Sequence, residues 1–173
     1  METAFGWFSS IMESLGHLIP RLKHVESNQL GVLFKRNKAI PLGPGMHWYW
    51  PVWSRPMIQC AARSTYTCES QHISTSDHKT VCVRAQVIIE ISDAMLSFVR
   101  TSSINEVVVD MALNGVRSVI TRTTLEDLIK RPRAVDAAIT RRIRAELKEY
   151  GVSVVRAFLS DCTPAIVLCL VKE

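Results

Sequence analysis

The segment Thr80 to Ile91 constrains this chain more than any other. Val81, Val83, Ala85, Val87, Ile89 and Ile91 alternate with Cys82, Arg84, Gln86, Ile88 and Glu90, the period of two that a pleated strand imposes on its faces. This is a long strand with one buried face, and the rest of the chain has to supply its cover.

Helical patterns follow it. Ser92-Asp93 offers an N-cap for a helix over 94–100, and Ser103 with Glu106 forms a capping-box pattern for a helix from 104 to about 121. On that second helix Glu106, Asp110, Asn114, Arg117 and Thr121 make a narrow polar stripe within an otherwise apolar surface. A helix so apolar needs cover on nearly all sides, from a sheet and from a neighbouring subunit, with Val109, Leu113, Val116 and Ile120 as candidate oligomer contacts. Thr123-x-x-Glu126 opens a short helix from 124 to about 130, stopped by Pro132. A fourth helix spans about 133 to 150, with Val135, Ala138, Ile139, Ile143 and Leu147 inward and Gly151 as its stop. Apolar residues at 152, 154, 155, 157 and 159 then predict a strand. Strands first, then three or four helices and a strand, define an α+β chain.

Ahead of Thr80 the pattern predicts short strands and tight turns: Leu30 to Lys35, a turn near Asn37 and Lys38, then Leu42-Gly43-Pro44-Gly45 and Met46 to Trp50. His47 to Trp53 packs Trp48, Tyr49, Trp50 and Trp53 into seven positions. A strand sends Trp48 and Trp50 to one face and Tyr49 to the other, so one face can enter a core while the tip carrying Trp53 meets lipid headgroups. The competing reading places all four rings in one small core.

The first 22 residues carry Phe5, Trp7, Phe8, Ile11, Met12, Leu15, Leu18, Ile19 and Leu22 at spacings of three and four, with polar residues between. This predicts an amphipathic helix over residues 1–24. A bilayer-spanning helix needs about 20 predominantly apolar residues, and Glu13, His17 and Arg21 interrupt this one, so it is expected to lie on a membrane surface. A signal peptide is not expected, because Glu2 follows Met1 and no small-residue cleavage pattern appears. Of a net charge of +5, residues 1–63 hold +4, seven cations against three carboxylates. Lys35, Arg36 and Lys38 therefore stand near the aromatic residues, the combination of an interfacial anchor on anionic lipid. The candidate membrane-binding set is Phe5, Trp7, Phe8, Ile11, Leu15, Leu18, Trp53, Lys35, Arg36 and Lys38.

Catalytic patterns are missing: there is no GxSxG, P-loop, GxGxxG or HExxH. Five cysteines without CxxC spacing argue against a disulfide framework and for a reducing compartment. No catalytic residue, metal ligand, cofactor, nucleic acid or small-molecule substrate is expected.

Several short blocks, taken in order, resemble the band 7 or SPFH domain of stomatins, prohibitins and flotillins. They are Gly31-Val32, Pro44-Gly45-x-His47, Thr75-x-Asp77-x-x-Thr80-Val81-x-Val83, Ile91-Ser92-Asp93, Arg122-Thr123-Thr124-Leu125-Glu126-Asp127-Leu128, and Tyr150-Gly151-Val152 through Pro164. The resemblance covers 25–164 and implies a β-rich part (25–92), an α/β part (93–164), N-terminal membrane attachment and homo-oligomeric rings or arcs. It also implies a peripheral or monotopic protein at the cytoplasmic face that organises membrane patches or regulates membrane proteases or channels. Two departures stand out. Asp77-His78 replaces the Asp-Gly frequent in relatives, which disfavours a two-residue hairpin. Only 165–173 remain after Pro164, an apolar tail whose Ile166, Val167, Leu168 and Leu170 are further candidate oligomer contacts. The alternative reading is a soluble module that meets an acidic partner or nucleic acid through the basic helix 133–150.

Overall fold

The computed structural model describes residues 19–36 and 38–165. These divide into two compact units, one ending at Ala62 and the other beginning at Arg63. By element type the chain changes from strands to helices between Ile91 and Ala94, as the 92/93 division expects, while the long strand Thr80–Ile91 belongs to the second compact unit.

In the first unit Pro20 removes a helical N–H donor, and the chain continues as strand β1 (Arg21–Val25), not as the end of a helix. The predicted helix is therefore corrected at residues 21–24, whose backbone groups pair with β4 (Gly45–Tyr49). Residues 1–18 lie outside the described residues. A second antiparallel sheet places β2 (Gln29–Lys35) between β3 (Lys38–Leu42) and β5 (Ser54–Cys60). Val25 of β1, Val32 of β2 and Leu42 of β3 are the buried apolar residues described in this unit.

The second unit is organised by β8 (Thr80–Ile91), and the six alternating residues read from the sequence are all buried. One edge of β8 pairs with β6 (Ser64–Thr67) and β7 (Gln71–Ser74), the other with β9 (Val152–Pro164), all antiparallel. Four helices lie between β8 and β9 in sequence: α1 (Ala94–Arg100), α2 (Ile104–Ile120), α3 (Leu125–Lys130) and α4 (Pro132–Leu147), the last extended by a 3₁₀ turn, Lys148–Tyr150. Val108, Ala112, Val116 and Ile120 of α2 and Val135, Ile139, Ile143 and Leu147 of α4 join the buried face of β8 in one core.

Hydrogen-bond chemistry explains the local starts and stops. Asp93 caps α1 by accepting from the N–H groups of Met95 (2.8 Å) and Leu96 (3.1 Å). Ser103 precedes α2 without a side-chain cap, so the capping box expected there does not form. At α3 the cap is Thr124, which accepts from Asp127 N–H at 3.2 Å. The Thr123 hydroxyl instead donates to the Val119 carbonyl at the end of α2 (2.8 Å). Gly151 adopts φ 71, a left-handed conformation suited to glycine, and its carbonyl accepts from Ser92 and Asp93 N–H groups. That contact fixes the start of β9 beside the end of β8.

The β7–β8 connection occupies residues 75–79 between the register partners Ser74 and Thr80, longer than a two-residue turn. His78 takes φ 58, and Thr75 is buried inside the loop. The Thr75 hydroxyl donates to Asp77, whose Oδ1 also accepts from Leu125 N–H (3.2 Å), tying the loop to the start of α3.

Candidate functional site

Strand register brings the basic and aromatic residues of the first unit together. Lys35 faces Lys38 across the β2–β3 pair and Ser54 across the β2–β5 pair. The basic turn and the loop leading into Ser54 therefore share one end of the sheet. That loop is closed by Ser54, whose hydroxyl accepts from Trp50 N–H (3.1 Å) and donates to the Trp50 carbonyl (2.7 Å). Trp53 is 57% exposed at its tip, and the Arg36 guanidinium lies 5.4 Å from its ring centroid. Such a stacked cation contributes about 0.5–1 kcal/mol at an exposed site.

A second apolar face lies on the β1–β4 ribbon. Leu22 is opposite Trp48 in register, and Met46 follows two positions along, so all three point to the same side. Trp48 and Met46 are each 69% exposed, and Trp50 and Val52 extend the apolar surface. Tyr49 and His47, on the other side, are half-buried, with His47 Nε2 2.8 Å from the Gly43 carbonyl. All three tryptophans of this segment are thus exposed, and the reading that places all four rings in one small core is corrected. β1 and β4 form a two-stranded ribbon, and among the described residues no further strand pairs with it. Next to the other face, which carries Tyr49, a cavity of about 300 Å³ is lined by Lys23, Tyr49, Ser54 and Arg55.

The sequence-derived set is distributed as follows. Trp53, Lys35, Arg36 and Lys38 come together and are exposed. Phe5, Trp7, Phe8, Ile11, Leu15 and Leu18 lie outside the described residues, as do Ile166, Val167, Leu168 and Leu170. Of the α2 candidates for oligomer contacts, Val109 and Leu113 are half-buried. Val116 and Ile120 are fully packed in the core of the second unit, so they are corrected from interface to core residues. Leu22, Met46, Trp48 and Val52 were not in the membrane-binding set. Their signal was the i, i+2 spacing of large apolar residues on both flanks of a turn.

Chemistry elsewhere is sparse. Among the described residues no three His, Cys, Asp or Glu side chains converge as metal ligands. Burial pushes the Cys68 thiol up, and burial with the nearby Asp161 charge does the same for Cys162, which disfavours either as a thiolate nucleophile at neutral pH. Among the described residues no helix is long and apolar enough to cross a membrane.

The first unit is antiparallel β, and the second combines an antiparallel sheet with four helices, an α+β arrangement with an exposed aromatic and basic edge on its first unit. The chain matches the SPFH domain / Band 7 family over residues 23–167 and belongs to that family. No curated protein matches it. Members of this family are generally membrane-associated, non-enzymatic scaffolds.

Proposed function

We propose that this protein is a peripheral, homo-oligomeric membrane scaffold whose first unit rests on anionic lipid. The cytoplasmic leaflet is the matching surface, and a membrane-bound protease or channel is the class of client. One observation carries the reading: exposed Trp48, Trp50 and Trp53 are combined with Lys35, Arg36 and Lys38 at the edge of a single small unit. Tryptophan places an apolar body and a polar N–H at the headgroup level. Each lysine or arginine near an anionic surface adds about 1 kcal/mol. Together they favour adsorption on a bilayer over burial in it. The N-terminal residues Phe5, Trp7 and Phe8 supply a second apolar contact in this reading.

Flotation with vesicles tests it. The full chain is expected to rise with vesicles containing phosphatidylserine and to rise less with phosphatidylcholine alone. Trp48→Glu combined with Trp53→Glu should leave the melting temperature unchanged, since both side chains are exposed, and should reduce flotation strongly. Undiminished flotation of that double variant would remove the first unit from the contact.

A further inference from the structure

The outer edge of β9 is closed by side chains of α4. Arg144 donates through Nε (3.1 Å) and Nη2 (2.8 Å) to the Val154 carbonyl. Thr140 accepts from Ala157 N–H (3.0 Å), and Asp136 Oδ1 accepts from Leu159 N–H (3.1 Å). An edge strand is ordinarily open to pairing with another chain, and here its central backbone groups are already satisfied. What remains is a rigid groove between helix and strand, a cavity of about 430 Å³ lined by Arg133, Asp136, Thr140, Arg141, Arg144 and Arg156.

The charge of this groove is not balanced. It holds four guanidinium groups and one carboxylate, and that carboxylate already accepts a backbone N–H. Among the described residues none of the four arginines has an ion-pair partner. The contrast within α4 is direct: Arg142, on another face, pairs with Glu146 one turn away at 2.7 Å. Arg141 has Ala137 and Ala145 one turn away on either side, and the Asp136 carboxylate, three residues after Arg133, accepts the Leu159 N–H. Arg156 joins them from β9 just after an irregularity in the β8–β9 register, where Ile88 faces Arg156 and Ile89 faces Val154, leaving Val155 as the extra residue. Bulges of this kind re-aim side chains and recur at functional sites.

We infer that this groove is a binding site for a compact anion carrying two or more phosphate groups. Guanidinium forks match phosphate oxygens bidentately, and a concave site lined by one sign of charge concentrates the opposite ion. The volume lies in the range of small-ligand sites, about 300–1,000 Å³. A nucleic-acid strand fits less well, because base stacking needs a row of free rings. Among the described residues no ring lines the groove, and Phe158, two residues from Arg156, already has that guanidinium 5.3 Å from its centroid. The anion's source is either a soluble polyphosphate or a phosphorylated lipid headgroup, which present the same chemistry. This site is in the second unit and does not depend on the membrane contact proposed for the first.

Calorimetric titration of the full chain with pyrophosphate and with inositol hexakisphosphate tests the soluble source. Vesicles carrying phosphatidylinositol bisphosphate, against phosphatidylserine vesicles of equal charge, test the lipid source. Arg141→Gln with Arg156→Gln removes two exposed guanidiniums and leaves Arg144 in its structural bonds. Arg117→Gln with Arg122→Gln, exposed on and after α2, is the charge-matched control. Saturable binding of either source that weakens roughly tenfold or more in the groove variant, and not in the control, supports the site. Equal weakening in both variants, binding to neither source, or tighter binding of an oligonucleotide than of the polyphosphates through the same two arginines would each overturn it. A thermal melt of both variants separates loss of binding from loss of fold.

Discussion

Gly115 of α2 lies against Ile143 of α4 so closely that a Cβ atom on the glycine would stand 2.5 Å from Ile143 Cγ1. Ile143 is fully buried, and the colliding atom is the branch next to its own Cβ, which cannot swing away cheaply. The helix gains about 1 kcal/mol of intrinsic propensity when glycine becomes alanine, whereas overpacking costs about 1–3 kcal/mol. Gly115→Ala is therefore expected to lower the urea midpoint of the chain. In an Ile143→Ala background, which already costs about 2–5 kcal/mol, the same substitution should be neutral or stabilising because its methyl enters the vacated space. Equal effects in the two backgrounds would show that the close approach is not what selects glycine.

Asp77 is held at about pKa 2, below its usual 3.8. The bond from the Thr75 hydroxyl is the largest cause; desolvation opposes it, and the Leu125 N–H and Lys79 add to it. The folded state thus binds this proton less readily than the unfolded chain. The stabilisation from the ionised form is present above about pH 3.8 and disappears as pH falls through about 2. Asp77→Asn should melt below the wild type near neutral pH, and the gap should close between those two values. A gap that persists undiminished at the acid end would assign the effect to packing or geometry and not to charge.

The parts of the fold legible beforehand are those where one period dominates over many residues. β8 and the stretch from Ala94 to Leu147 announce themselves because burial on one side repeats without interruption. β5, β6 and β7 did not, since Ser54–Cys60, Ser64–Thr67 and Gln71–Ser74 are short and mix polar with apolar residues on both faces. β1 was read as helix because the apolar spacing from Phe5 onward continues through Leu22, and only the pairing with β4 shows residues 21–24 to be strand. Trp53 and the basic turn were identified from composition. The outward direction of Trp48 was not, because Met46, Trp48 and Trp50 are no more apolar as a set than a core face would be. The arginine groove needs Arg156, which sequence places far from Arg141 and only the β9 edge brings alongside.

Electrostatic support for lipid binding resides in the β2–β3 turn. Replacing Lys35, Arg36 and Lys38 together by glutamine removes about 1 kcal/mol apiece at an anionic surface, or roughly a hundredfold in partitioning. Vesicle cosedimentation at low ionic strength should show that loss for phosphatidylserine vesicles and little change for neutral ones. Raising salt should shrink the difference, since a Debye length of about 8 Å at physiological ionic strength falls to about 3 Å at 1 M. Arg36 also stacks on Trp53, so Arg36→Gln alone should cost more than Lys38→Gln. Equal losses for these two single variants would remove the stacked pair from the argument.

The apolar tail provides the last test, and the structure changes where the chain should be cut. β9 pairs with β8 through Pro164, which faces Val81, and Ala165 N–H donates to the Thr80 carbonyl at 2.9 Å. Removing residues after Thr163 would therefore damage the sheet as well as the tail. A chain ending at Ala165 keeps every one of those pairings and deletes only 166–173, with Ile166, Val167, Leu168 and Leu170. Apolar surfaces of this kind mark contact sites when exposed, and repeated head-to-tail contacts related by rotation close into rings. Light scattering in mild detergent should give an assembly for the full chain and a smaller species for the shortened one, with equal thermal midpoints when protein concentration is low. An unchanged assembly after the cut would move the subunit contact to the domain itself, where Val109 and Leu113 are the two of the four α2 candidates that are only half-buried.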